Sequence, residues 1–152
     1  IAMTAPVVAD LAARVVNTND AEAAIDRMYD LCYLDPSRVH GERRADQIEE
    51  TRWRMARHNA ADPLRQSARG LGRAFIPGTS DYLWSMAERI EVPTLAIYGT
   101  HDKLVDPRLA NRTARTIPNV RVTTLKTGHV AQLEDPVATA RLVLQMWSED
   151  HI

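Results

Sequence analysis

The hydrophobic pattern along this chain follows two grammars, and they change over at Pro93. Upstream, apolar residues recur at helical spacing. Val8, Leu11, Ala12 and Val15 share one face of a helix that Thr4 can cap and that takes Pro6 in its first turn. The polar run Asn17–Asp20 interrupts it. A second helix carries Ile25, Met28, Tyr29 and Cys32 on one stripe. It ends at Leu34-Asp35-Pro36-Ser37, because the residue before a proline avoids helical backbone. The charged segment Gly41–Asn59 reads as a helix with a wide solvated face. A further helix follows Pro63, weakened by Gly70 and Gly72. Ile76–Ser80 is a turn, and after it Leu83, Met86, Ala87 and Ile90 form the clearest amphipathic stripe.

Downstream of Pro93 the runs shorten. Thr94–Tyr98 predicts a buried parallel strand and Val120–Leu125 a second strand. Between them, Pro107–Thr116 predicts a helix with Leu109, Ala110, Thr113, Ala114 and Ile117 inward and Arg108, Arg112 and Arg115 outward. A last helix from Pro136 turns Val137, Ala140, Leu144 and Trp147 inward. The succession β-loop-α-β-loop-α is the unit of an α/β sheet. The expected class is therefore α/β, with a helical part over residues 1–90 and a β-α-β-α part over 91–152.

Composition narrows the picture. At 152 residues, with 45% apolar and 26% charged, the chain suits one globular domain or two small lobes. A net charge of −1 gives nucleic acid or an anionic membrane nothing to attract. No window approaches 18 uninterrupted apolar residues, and the first residues lack the basic-then-apolar pattern of a signal peptide. Cys32 is the single cysteine, so no internal disulfide can form, and a cytoplasmic location is the expectation. The start at Ile1 rather than methionine suggests a processed or truncated product.

Candidate chemistry lies on the loops that follow the two strands, where open parallel sheets carry their reactive groups. The first loop presents Asp102, three residues after Gly99. The second presents His129, directly after Gly128. Adjacent strands would set these loops side by side. A carboxylate beside an imidazole fixes its tautomer and stabilises the imidazolium, so the histidine can work as a general base. The alternative, two ordinary polar loop residues, stands against that joint context. A metal-binding reading of His101-Asp102 needs the pair on a helix with further ligands nearby, and here it ends a strand.

The stretches "VPTLAIYGTHDKLVDP" and "NVRVTTLKTGHVAQLEDP" resemble the C-terminal third of the α/β-hydrolase fold. The resemblance covers residues from about 88 to 150. It implies Asp102 as the triad acid, His129 as the base, and Val105 and Val130 as pocket-lining residues, with no metal or organic cofactor. The helical part before it is similar to the cap that roofs the pocket in that family. "YLDPSRV" is similar to caps of the esterase and carbon–carbon bond hydrolase subgroup. What the resemblance implies is a serine hydrolase acting on a small, apolar ester or similar carbonyl substrate.

The family's nucleophile sits in a G-x-S-x-G elbow, and no such pentapeptide occurs in these residues. The nearest imitation is Gly78–Tyr82, "GTSDY", whose Ser80 reads better as a helix cap. Cys32 sits on a core stripe. Asp106, Glu134 and Asp135 read as helix-start residues, and Trp53, Trp84, Tyr29, Tyr33 and Tyr82 mostly as core or lobe-interface aromatics. The oxyanion-hole donors would also lie elsewhere. The expectation is thus a fragment, inactive alone, whose open sheet edge is covered by its missing N-terminal half or by a second copy. Two alternatives stay open. One is an aspartate nucleophile acting on epoxides or haloalkanes, and the other a non-catalytic hydrolase-fold binding protein.

Overall fold

The computed structural model describes residues 20–57, 61–80 and 82–149. They fall into two compact units, one built from the chain up to Asp30 and Pro36–Leu83, the other from Leu31–Asp35 and the chain from Trp84 onward. The helix expected around Val8–Val15 lies outside the described residues.

Helix α1 spans Ala21–Cys32, all but its last two residues in the first unit. It starts where Asp20 Oδ1 accepts the N–H groups of Glu22 and Ala23, which otherwise have no partner within the helix. Its buried side is Ala21, Ala24, Ile25 and Tyr29, while Met28 and Cys32 are only partly covered. Met28 and Cys32 thus belong less to the core than their stripe suggested. A short turn of 3₁₀ helix at Pro36–Arg38 leads to α2, Gly41–Met55. Only Ile48 of α2 is buried, as the charge density predicts. The Tyr29 hydroxyl donates to Gln47 Oε1. Burial pushes that hydroxyl's pKa up, partly offset by Arg43 and Arg44. Arg44 forks onto Asp26 at 2.7 Å and Arg52 reaches Glu22 at 2.6 Å. Trp53 is exposed rather than core, with the Arg57 guanidinium 3.3 Å from its ring centre.

Helix α3, Ala61–Ala74, begins two residues ahead of Pro63. The proline sits in the first turn, where its missing N–H costs nothing, and the helix runs through Gly70 and Gly72. A turn follows with Gly78 at φ +84°, a conformation that a side chain would strain. The stripe expected over Leu83–Ile90 yields only α4, Leu83–Ala87, with Leu83 and Met86 exposed and Ala87 buried.

In the second unit, β1 (Thr94–Gly99) and β2 (Val120–Leu125) form a two-stranded parallel sheet in register from Thr94–Val120 to Gly99–Leu125. Between them runs α5, Leu109–Thr116. The Tyr98 hydroxyl and Thr113 Oγ1 stand 2.6 Å apart and tie β1 to α5. Ala110 and Thr113 are buried, but Ala114, expected inward, is exposed. Strand β1 is half-buried until Gly99 rather than buried throughout, because among the described residues its second edge has no strand beside it. After β2 come α6, Ala131–Glu134, and α7, Pro136–Glu149.

The inward face assigned to α7 is not inward. Val137 is 67% exposed, Leu144 67% and Trp147 65%, and Ala140 is exposed as well. Helical spacing identified an apolar stripe correctly but not whether anything lies against it. Among the described residues no helix is long and apolar enough to cross a membrane.

Two glycines set the closest packing. A Cβ on Gly99 would lie 1.9 Å from the Gly128 carbonyl oxygen and 2.7 Å from that of Thr127. Those are backbone atoms that cannot swing aside. Gly99→Ala is therefore expected to destabilise the chain by roughly 1–3 kcal/mol or more, the range for forced overpacking. Ile48→Ala should cost about 2–5 kcal/mol as a buried truncation, whereas Leu144→Ala should stay within about 0.5 kcal/mol as a surface change. Urea-unfolding midpoints of the three variants check this. A costly Leu144→Ala would mean that α7 is covered.

Candidate active site

The two strand-end loops are zipped together by backbone before any side chain takes part. Beyond the ladder, the Thr100 N–H donates to the Leu125 carbonyl at 2.8 Å and the His101 N–H to that of Thr127 at 3.0 Å. The chain then turns, with the Asp102 N–H on the Gly99 carbonyl at 3.2 Å. This turn aims the Asp102 side chain back over its own loop. Its Oδ1 accepts the N–H groups of Leu104 at 2.7 Å and Val105 at 2.9 Å. Oδ2 is left for the neighbouring loop, and His129 Nδ1 stands 2.9 Å from it.

Burial is unequal across this pair. The Asp102 side chain is 6% exposed and the His129 ring 40%. A sheltered carboxylate that accepts from Nδ1 leaves Nε2 as the basic nitrogen on the open side of the ring. Such an arrangement can take a proton from a group placed at Nε2 and hold the resulting charge.

Both aliphatic residues singled out in the sequence lie on the same loops. Val105 supplies one of the two N–H groups on Oδ1, and Val130 is the residue that opens α6. Both are partly buried. His101 is exposed, its Nδ1 within 2.9 Å of Thr100 Oγ1. Among the described residues there is no group of three or more His, Cys, Asp or Glu arranged to hold a metal ion. Ser80 lies in the turn after α3, in the other unit.

Two residues at the site were not legible as such. The Cys32 carbonyl accepts the His129 N–H at 2.7 Å, a contact between positions 97 apart in sequence that no local signal announces. Burial pushes the Cys32 thiol pKa up, and the Asp102 charge adds to the effect. Glu134 was read as a helix-start residue. It is instead buried, with Oε1 accepting from the N–H groups of Leu34 at 2.9 Å and Asp35 at 3.2 Å, and Oε2 from that of Gly128 at 2.5 Å. Asp135 does cap α7, its Oδ1 accepting the Ala138 N–H at 2.9 Å. Asp106 is not the cap of α5, whose N-cap is Arg108; its Oδ1 accepts the Arg108 N–H at 2.9 Å in the turn ahead of the helix, and the Arg108 guanidinium holds its carboxyl below the usual range.

The chain matches the α/β hydrolase fold family across residues 5–136, and it belongs to that family. Over 50 residues it is 44% identical to the pyrrolizixenacetamide deacetylase of Xenorhabdus hominickii, a match covering 33% of this chain and 19% of that protein. Its fold is similar to that of an esterase from Exiguobacterium antarcticum, with a TM-score of 0.66 and 16% identity over 95% of this chain and 48% of the esterase. It is similar also to the enol-lactonase from Burkholderia xenovorans LB400, with a TM-score of 0.65 and 20% identity over 95% and 53%. The chain thus spans about half the length of these two structures.

The raised Cys32 pKa has a measurable consequence. Alkylation of Cys32 by iodoacetamide in the folded chain should reach half its limiting rate above the pH seen for a free cysteine. The thiolate is the reacting species, and burial disfavours it. Asp102→Asn should bring that midpoint down only part of the way, since burial is the larger cause. A midpoint at or below the free-cysteine value would contradict this environment.

Proposed function

We propose that this chain carries the acid and the base of a Ser-His-Asp hydrolase acting on an ester or a similar carbonyl group. The serine would be supplied by polypeptide outside these 152 residues. The observation that carries the reading is the 2.9 Å contact between Asp102 Oδ2 and His129 Nδ1, with Oδ1 already occupied by backbone. Support comes from family membership and from the esterase, lactonase and deacetylase among the similar proteins. Asp102 orients the ring, His129 Nε2 takes the serine proton during attack and returns it to the leaving group, and water then releases the acyl enzyme. Val105 and Val130 would face a small apolar acyl or alkyl group, and residues 1–90 would roof the pocket.

No G-x-S-x-G occurs in the chain, so it would be inactive alone. A second copy or the preceding half of the fold would cover the open edge of β1. The aspartate-nucleophile reading differs only in the missing residue. A non-catalytic reading would have been favoured by a separated acid and histidine, and these two are within hydrogen-bond distance.

The test joins this chain to an N-terminal half, expressed separately or fused upstream, and assays an aryl ester. The joined protein is expected to hydrolyse it. His129→Ala should lower turnover on the order of a million-fold and Asp102→Asn about ten-thousand-fold. A fluorophosphonate probe should label the upstream serine and leave the 152-residue chain unlabelled. Labelling of this chain alone, at Ser80 or elsewhere, would overturn the proposal.

A further inference from the structure

The catalytic reading uses the His129 side chain and leaves unexplained the buried carboxylate of Glu134, six residues after Gly128. We infer that Glu134 is a positioning residue for His129, clamping the histidine loop to the segment Leu31–Asp35 at the end of α1. The inference rests on the proposed role of His129 and extends it.

The geometry is specific. The two backbone N–H groups that set the position of His129 are its own and that of Gly128. The first donates directly to the Cys32 carbonyl at 2.7 Å. The second donates to Glu134 Oε2 at 2.5 Å, while Oε1 of the same carboxylate takes the N–H groups of Leu34 and Asp35. One side chain therefore links the Thr127–Gly128 peptide to the Tyr33–Leu34 and Leu34–Asp35 peptides, just beyond Cys32. The surfaces it links are already in contact, since a Cβ on Gly128 would lie 2.4 Å from the Cys32 carbonyl oxygen and 2.8 Å from the Leu34 nitrogen. Asp102 then has only to orient a ring whose backbone is held.

A carboxylate is suited to this because both its oxygens accept. Glutamine has one accepting oxygen and one donating NH₂, so Glu134→Gln must face either Gly128 or Leu34 and Asp35 with a donor against donors. Aspartate is a methylene too short to span both sides. The effect on a catalytic ring follows from distance, because a misplacement of about 1 Å can cost roughly a hundred-fold in rate.

The experiment is NMR on the 152-residue chain. In the unaltered chain the amides of Gly128 and Leu34 should exchange with solvent slowly. The His129 Nδ1 proton shared with Asp102 should give a downfield resonance that Asp102→Asn abolishes. In Glu134→Gln, with β1–β2 cross-peaks intact, the Gly128 amide should exchange at least ten-fold faster and the His129 resonance should broaden away or shift. A purely structural Glu134 would lower the melting temperature and leave that resonance in place, which would overturn the inference. Should the variant fail to fold, the unaltered chain decides. Gly128 and Leu34 amides exchanging as fast as exposed loop amides would overturn it, and slow exchange at both would support it. A resonance that survives Asp102→Asn would count against the acid–histidine pairing, and Gly128 exchange in Glu134→Gln would still judge the clamp.

Discussion

The approach of the Gly99 backbone to the Gly128 carbonyl is the contact on which the candidate site depends. A strand that ends in a residue with any side chain could not bring the two loops this close, because the obstruction is main chain and has no rotamer to change. Once the loops touch, backbone hydrogen bonds from Thr100 and His101 extend the pairing past the end of the sheet. Asp102 and His129 then meet without either side chain stretching. The pair is thus a product of chain geometry, and its carboxylate and imidazole add chemistry to a juxtaposition already made.

Electrostatically, the site divides its work among acceptors. Each oxygen of Asp102 has one task, backbone on Oδ1 and imidazole on Oδ2, so rotation about the carboxylate would break bonds on both sides. Glu134 is split in a similar way between two stretches of chain. Buried carboxylates are costly unless their lone pairs are matched by donors, and here the donors are peptide N–H groups whose positions the fold sets. The surface ion pairs of the first unit, Arg44 with Asp26 and Arg52 with Glu22, stand in water and carry no comparable constraint.

How much could be read in advance varied with the range of the interaction. The strands were legible to within a residue, because Pro93, Gly99, Pro118 and Asn119 bound two short apolar runs. The juxtaposition of Asp102 and His129 was legible as well, since each stands just beyond its strand. Helix faces were legible as stripes but not as buried surfaces. Val137, Leu144 and Trp147 obey the period and are exposed, and Ala114 does the same on α5. Periodicity records which side is apolar, and burial needs a partner that periodicity cannot name. Glu134 was misread for a related reason. Beside Asp135 and Pro136 it looks like the start of a helix, and the amides it binds at Leu34 and Asp35 are 100 and 99 positions away.

The segment Leu31–Asp35 belongs with the strands although it is flanked on both sides by the helical unit. The chain accordingly passes between the two units at 30–31, 35–36 and 83–84. Anyone exchanging the helices with those of a relative should therefore leave these five residues with the host. A transplant cut as one continuous block would carry off the peptides that brace the histidine.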